Sequence, residues 1–259
     1  MTTMTQHAAG MFCWSQLTTP DEQGARKFYA SLFDWNLENT SVGSGPSFTL
    51  FKKDDNPIGA VMRQDKPLHG YSGPMWTAFV AVDDVDQITA KVKELGGRLL
   101  MEPTDAGENG RMALFEDPTR GVFAVWQGMK KPGAAVVNET GAMCWNELIT
   151  DNAAKATAFY KQLFGWTTET MPGLMGTYTI LKKDGAQTGG LMQATPEMKL
   201  THPYWLIYFG VDDCDKSASK AADLGGRIMR KPTDIPNVGR FSVLTDPQGA
   251  YFAIIAMQK

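Results

Sequence analysis

The chain has 259 residues, of which 43% are hydrophobic, 20% charged and 10% aromatic. That is enough apolar material for a sizeable core, so global disorder is excluded. Its 28 acidic and 25 basic side chains leave a net charge of -3, with no basic footprint for nucleic acid. No apolar run approaches the roughly 18 residues that a membrane helix needs. The opening MTTMTQHAAG has no Lys or Arg and no apolar stretch, so it does not read as a secretion signal. Cys13, Cys144 and Cys214 lie far apart and form no Cys-x-x-Cys, which fits a reducing, cytoplasmic setting.

Taken in order, the first element is a strand over 12–18, apolar and closed by a turn signal. Thr19-Pro20-Asp21-Glu22 then predicts a helix start, with Thr19 as cap, Pro20 in the first position and Glu22 closing a capping box. Ala25, Phe28, Tyr29, Leu32 and Phe33 recur at helical spacing. Strands follow near 34–39, 47–53 and 57–64, the last two joined by the turn Asp54-Asp55-Asn56-Pro57. A second round starts with a strand over 75–82. Asp84 caps its helix, Val85, Ile88, Val92 and Leu95 form the apolar face, and Gly96-Gly97 ends it. Strands near 98–102, 111–116 and 121–127 complete the round. The order is βαβββ, twice.

The whole pattern then recurs. Phe12-Cys13-Trp14 matches Met143-Cys144-Trp145, Phe28-Tyr29 matches Phe159-Tyr160, and Leu32-Phe33-x-Trp35 matches Leu163-Phe164-x-Trp166. Further along, Lys52-Lys53-Asp54 pairs with Lys182-Lys183-Asp184, Gly110-Arg111 with Gly239-Arg240, and Asp117-Pro118 with Asp246-Pro247. So many ordered matches mean a duplication. The first half is 11–128, with modules 11–66 and 74–128. The second is 142–259, with modules 142–195 and 203–257. Residues 129–141 read as a linker. The fold class is α+β, with four βαβββ modules.

These motifs resemble the vicinal oxygen chelate superfamily, which includes glyoxalase I, bleomycin-resistance proteins and extradiol dioxygenases. The resemblance carried by Trp-x-Glu-Leu, Phe-Tyr, Leu-Phe-Gly-Trp, Val-Asp-Asp, Leu-Gly-Gly and Asp-Pro covers nearly the whole chain. It implies two tandem domains, each an incomplete barrel around a cleft. It also implies a divalent metal held by His, Glu or Gln side chains of the first and last strands of each module. Carried over residue by residue, the first-strand place falls on Cys13 and Cys144 or on Trp14 and Trp145, depending on how one counts. The other places fall on Thr77, Leu206, Ala124 and Ala253. Neither 75–82, 204–211, 122–126 nor 251–256 contains His, Asp, Glu or Cys. No metal ligand and no cofactor are therefore expected.

The candidate site residues are weighed individually. Glu147 stands in an apolar strand, either as a cleft base or as a buried paired carboxylate, and its repeat mate is Gln16. Trp14, Trp145, Trp76 and Trp205 are walls for a planar ligand or core packing between sheets. Tyr178 and Tyr208 offer hydroxyls to the second cleft. Arg111 and Arg240 open strands, where they clamp an anion or form a salt bridge, for example to Asp117 or Asp246. His69 and His202 lie between modules, where a histidine is solvated or, at His202, contacts a ligand or assists Glu147, and His7 lies in a tail expected to fray. Cys13 and Cys144 read as small buried hydrophobes. The expectation is a metal-free binding protein for an apolar or aromatic small molecule, without nucleic-acid or membrane partners, as a monomer or homodimer. The alternatives are a glyoxalase-type lyase or isomerase using Glu147 as base or metal ligand, and a non-catalytic interaction module.

Overall fold

The computed structural model of the protein describes residues 3–41, 47–65 and 73–258. The first module runs β1 Phe12–Thr19, α1 Glu22–Phe33, β2 Asn36–Ser41, β3 Ser47–Lys53 and β4 Asn56–Arg63. The second runs β5 Met75–Ala81, α2 Val85–Glu94, β6 Arg98–Asp105, β7 Gly110–Glu116 and β8 Val122–Gly128. The third runs β9 Met143–Thr150, α3 Ala153–Phe164, β10 Thr167–Gly173, β11 Gly176–Lys183 and β12 Ala186–Gln193. The fourth runs β13 Tyr204–Gly210, α4 Cys214–Asp223, β14 Arg227–Ile235, β15 Gly239–Thr245 and β16 Tyr251–Met257.

Each half forms one 8-stranded sheet, ordered β2-β3-β4-β1-β5-β8-β7-β6 and β10-β11-β12-β9-β13-β16-β15-β14. Within a module the first and last strands pair in parallel. The two modules join where β1 meets β5, and β9 meets β13, antiparallel. The sheets are incomplete barrels, as the resemblance implies.

Alternation along the strands sorts side chains onto two faces. Leu17, Phe51, Trp76, Phe123, Leu148, Ile207 and Phe209 share one core that includes both halves and the helices. The opposite faces cluster separately. Phe79, Leu114 and Ala124 line the first cleft, with Trp14, Met101 and Met112 against them. Ile149, Leu206, Tyr208, Phe241 and Ala253 line the second, with Trp145 and Tyr178. Trp76 and Trp205 are thus core residues, whereas Trp14 and Trp145 belong to the clefts.

The repeated motifs hold the halves together in reciprocal pairs. Tyr29 donates to Asp246 Oδ2 at 3.1 Å and accepts from Trp76 Nε1 at 2.9 Å. Tyr160 donates to Asp117 Oδ2 at 2.8 Å and accepts from Trp205 Nε1 at 3.0 Å. Trp35 Nε1 donates to the Gly141 carbonyl, and Trp166 Nε1 to that of Gly10. Phe-Tyr, Leu-Phe-x-Trp and Asp-Pro therefore read as the duplicated joint between domains.

Three expectations need correction, and the joining segment can be described. The cap of α1 is Asp21, whose side chain accepts from Gly24 N at 2.9 Å; Thr19 instead accepts from Asp21 N. The segment 129–141 is packed: Ala134 and Val136 are buried, and Ala134 N donates to the Cys13 carbonyl. His7 is buried as well, 2.9 Å from the Ala134 carbonyl, so this part of the tail is tied down. Finally, the salt bridges of Arg111 and Arg240 do not involve Asp117 and Asp246. Asp84, by contrast, does cap α2, accepting from Gln87 N at 2.9 Å.

Candidate functional site

The second cleft contains a buried polar cluster on an otherwise apolar face. Glu147 in β9 lies opposite Leu206 of β13 and Gly190 of β12. It is only 8% exposed. Tyr208 donates to Glu147 Oε1 at 3.2 Å, and the Tyr178 hydroxyl lies near enough to favour the charged form of this carboxylate as well. Tyr178 in turn accepts from Trp145 Nε1 at 2.8 Å. Burial raises the Glu147 pKa, a shift that the two tyrosine hydroxyls and the Arg230 charge oppose without cancelling. Burial and the adjacent carboxylate hold Tyr178 and Tyr208 well above the ordinary tyrosine range, so both remain O–H donors. The arrangement offers a ligand a proton-sharing carboxyl flanked by two phenols, with the Trp145 indole beside them.

Arg230 of β14 completes this cluster. Its guanidinium lies 5.2 Å over the Phe241 ring, and Nη1 approaches Met175 Sδ at 3.0 Å. Met175, Met198 and Leu200, partly buried, pack against the residues of this face. Flexible side chains of this kind can be displaced by an entering molecule.

The first cleft keeps the backbone and loses this chemistry. At the corresponding positions Glu147 becomes Gln16, Tyr178 becomes Phe48 and Tyr208 becomes Phe79. Likewise Arg230 becomes Met101, Tyr204 becomes Met75 and Phe241 becomes Met112. Gln16 retains only a long contact, 4.0 Å, from Nε2 to Met62 Sδ.

The structure brings together Trp145, Glu147, Tyr178 and Tyr208, and sets Trp14 and Gln16 in the other half. Arg111 pairs with Asp86 and Asp105, and Arg240 with Asp215 and Asp234, at the outer side of each sheet. His202 is exposed on the bend before β13. His69 lies outside the described residues. Cys144 packs against the second cleft, with its thiol pushed up to about 12 by burial, and Cys13 is raised further for the same reason. Two residues of the cluster, Arg230 and Tyr204, were not among the sequence candidates. The signal for both was an exchange between halves, methionine in the first for a polar group in the second.

A surface depression of about 540 Å³ lies elsewhere, beside the start of α1, lined by Asp21, Arg26, Asn39 and Arg63 among others. It is open and polar. A small cavity of about 90 Å³ lies at the seam between halves, bordered by Phe12, Val137, Trp145 and Gln187.

The metal implied by the resemblance can be tested against the donor set. Among the described residues, no group of three or more His, Cys, Asp or Glu side chains converges. In the second half the implied places hold Leu206, Ala253 and either Cys144 or Trp145. Glu147 is one carboxylate among phenols and apolar groups. Such a set does not fit a divalent ion that calls for several nitrogen or oxygen ligands. Among the described residues, no helix is long and apolar enough to cross a membrane.

Comparison with known proteins agrees with this architecture. The Glyoxalase/Bleomycin resistance protein/Dioxygenase superfamily model matches residues 6–125 and 144–254. The chain belongs to that superfamily. It is 40% identical over 244 residues to the protein named "Putative glyoxylase CFP32" of Mycobacterium bovis, covering 93% of each chain. It is 34% identical over 270 residues to "Anthracycline biosynthesis protein DnrV" of Streptomyces peucetius, covering 99% of this chain and 96% of that one. Among solved structures, the Mn(II)-bound glyoxalase from Novosphingobium aromaticivorans superposes with a TM-score of 0.67 at 17% identity, over 96% of this chain and 82% of that one. A variant of homoprotocatechuate 2,3-dioxygenase from B. fuscum gives 0.67 at 14% identity, over 99% and 74%. These structural likenesses speak to the fold alone.

Proposed function

We propose that the second cleft binds an apolar or aromatic small molecule bearing a hydrogen-bonding oxygen, and that it does so without a metal. The supporting observation is the asymmetry of the halves. Glu147 and five polar or aromatic positions around it become Gln, Phe or Met in the first cleft, while the fold is unchanged. A purely structural role for Glu147, Tyr178 and Tyr208 would not account for burying a carboxyl on an apolar sheet face, which is costly. The Trp145 indole supplies a flat apolar wall. The name of the Streptomyces relative, an anthracycline biosynthesis protein, points the same way, toward a small organic compound.

A second reading is favoured by one feature, the buried carboxyl held between two phenols. A group with a raised pKa is suited to general acid–base chemistry near neutrality. In that reading Glu147 exchanges a proton with a carbon next to a ligand carbonyl while Tyr178 and Tyr208 bond the oxygen, as an isomerase or lyase would require.

Titration with 1,4-naphthoquinone, followed by tryptophan fluorescence, tests the binding reading. Saturable quenching unchanged by EDTA, and about tenfold or more weaker in the combined Glu147→Gln, Tyr178→Phe variant, is expected. Absence of saturable binding, or binding abolished by EDTA and restored by a divalent metal, overturns it.

A further inference from the structure

Arg230 is the one cation among the aromatic and apolar groups described around the second cleft, and its surroundings leave it under-satisfied. Its Nε is closed off from solvent and has no hydrogen-bond partner. Its Nη1 bond goes to the sulfur of Met175, a weak acceptor. Among the described residues no carboxylate lies within ion-pairing distance of it, whereas Arg111 and Arg240 each engage two. Its flat face rests on Phe241, which fixes the direction of its remaining N–H groups. Both the cation and its ring platform are absent from the first half, which has Met101 and Met112 in their places.

A guanidinium partly withdrawn from water gains most from an oxyanion, since charge-assisted bonds are about twice as strong as neutral ones. We infer that the second cleft selects ligands with an anionic oxygen on a planar apolar body: a carboxylate, an enolate or an ionised phenol. The oxygen takes the place of Met175 Sδ on Arg230, and the planar body lies toward Trp145. This rests on the small-molecule reading above and narrows it to a charge class.

The test uses two probes with the same ring system. 2-Hydroxy-1,4-naphthoquinone is ionised at neutral pH, and 2-methoxy-1,4-naphthoquinone is neutral. Each is titrated into the wild-type protein, Arg230→Met and Arg230→Lys, with tryptophan fluorescence as readout. Methionine is the residue that the first half carries at this place, and lysine preserves the charge if methionine disturbs folding. The wild type should favour the anionic probe about tenfold, in line with one charge-assisted bond. Arg230→Met should abolish that preference, and Arg230→Lys should keep part of it. If both probes bind but the preference is missing, or persists in Arg230→Met, the charge assignment is wrong and the small-molecule reading stands. If neither probe binds the wild type, that reading falls, and the inference with it.

Discussion

Tyr178 and Gly190 approach each other so closely that a Cβ on residue 190 would stand 1.9 Å from the Tyr178 hydroxyl oxygen. The glycine is thus the room in which this phenol reaches Glu147. The first half carries the complementary pair, Phe48 without a hydroxyl and Ala60 with a Cβ. Gly190→Ala should push Tyr178 off the cluster, weaken ligand binding and cost about 1–3 kcal/mol, as overpacking does. Adding Tyr178→Phe removes the nearest atom but leaves ring carbons 2.4 and 2.9 Å from the new Cβ, so it should recover only part of the stability and none of the binding. Urea unfolding of the two single variants and the double variant gives the coupling; additive losses would contradict the contact.

Glu147 should make stability depend on pH in a definite direction. Burial raises its pKa in the folded protein. The folded state therefore keeps this proton at pH values where the unfolded chain has released it, and stability falls as pH rises through that window. Below the ordinary glutamate value, about 4.3, the penalty is absent. Above the folded value it is complete. Glu147→Gln should thus equal the wild type near the acid end and exceed it at neutral pH. Parallel urea-derived stability curves for the two proteins would refute the assignment.

The reciprocal tyrosine–aspartate pairs should be structural. Removing the Tyr29 hydroxyl leaves the Trp76 indole N–H without an acceptor and Asp246 Oδ2 without a donor. Each buried group left so costs roughly 1–3 kcal/mol. Tyr160→Phe should behave alike through Trp205 and Asp117. Both variants should melt earlier than the wild type while probe affinity in the second cleft is unchanged. A loss of affinity without a loss of stability would place these residues in function.

The three free cysteines should be inert in the native protein. Cys13 and Cys214 are buried, Cys144 is largely so, and burial is the leading cause that raises each thiol. A disulfide exchange reagent at neutral pH should label them only after unfolding. Rapid labelling of any one in the folded state would contradict this.

The fold was legible because duplication and periodicity act locally: the Phe-Tyr and Leu-Phe-x-Trp spacings mark helices whichever partner they pack on. The first-strand ambiguity between Cys and Trp has a physical resolution. Register shifts between Phe12 and Trp14, and between Tyr208 and Phe209, interrupt the alternation. As a result Cys13 and Trp14 both pack on the first cleft, and Cys144 and Trp145 both on the second. Burial of His7 was not legible, because it depends on a carbonyl at Ala134 far along the chain. Arg230 was missed because a charged residue in an edge strand reads as a solvated one. Only comparison with Met101 marks it.

The central claim is that one cleft binds and the other does not. Calorimetric titration of 1,4-naphthoquinone into the wild type, Gln16→Leu, and the combined Glu147→Gln, Tyr178→Phe variant tests it directly. One site per chain is predicted for the wild type and for Gln16→Leu, with affinity lowered about tenfold or more in the combined variant, as expected for losing buried hydrogen bonds. Two sites per chain, or loss of binding in Gln16→Leu with retention in the combined variant, would contradict it.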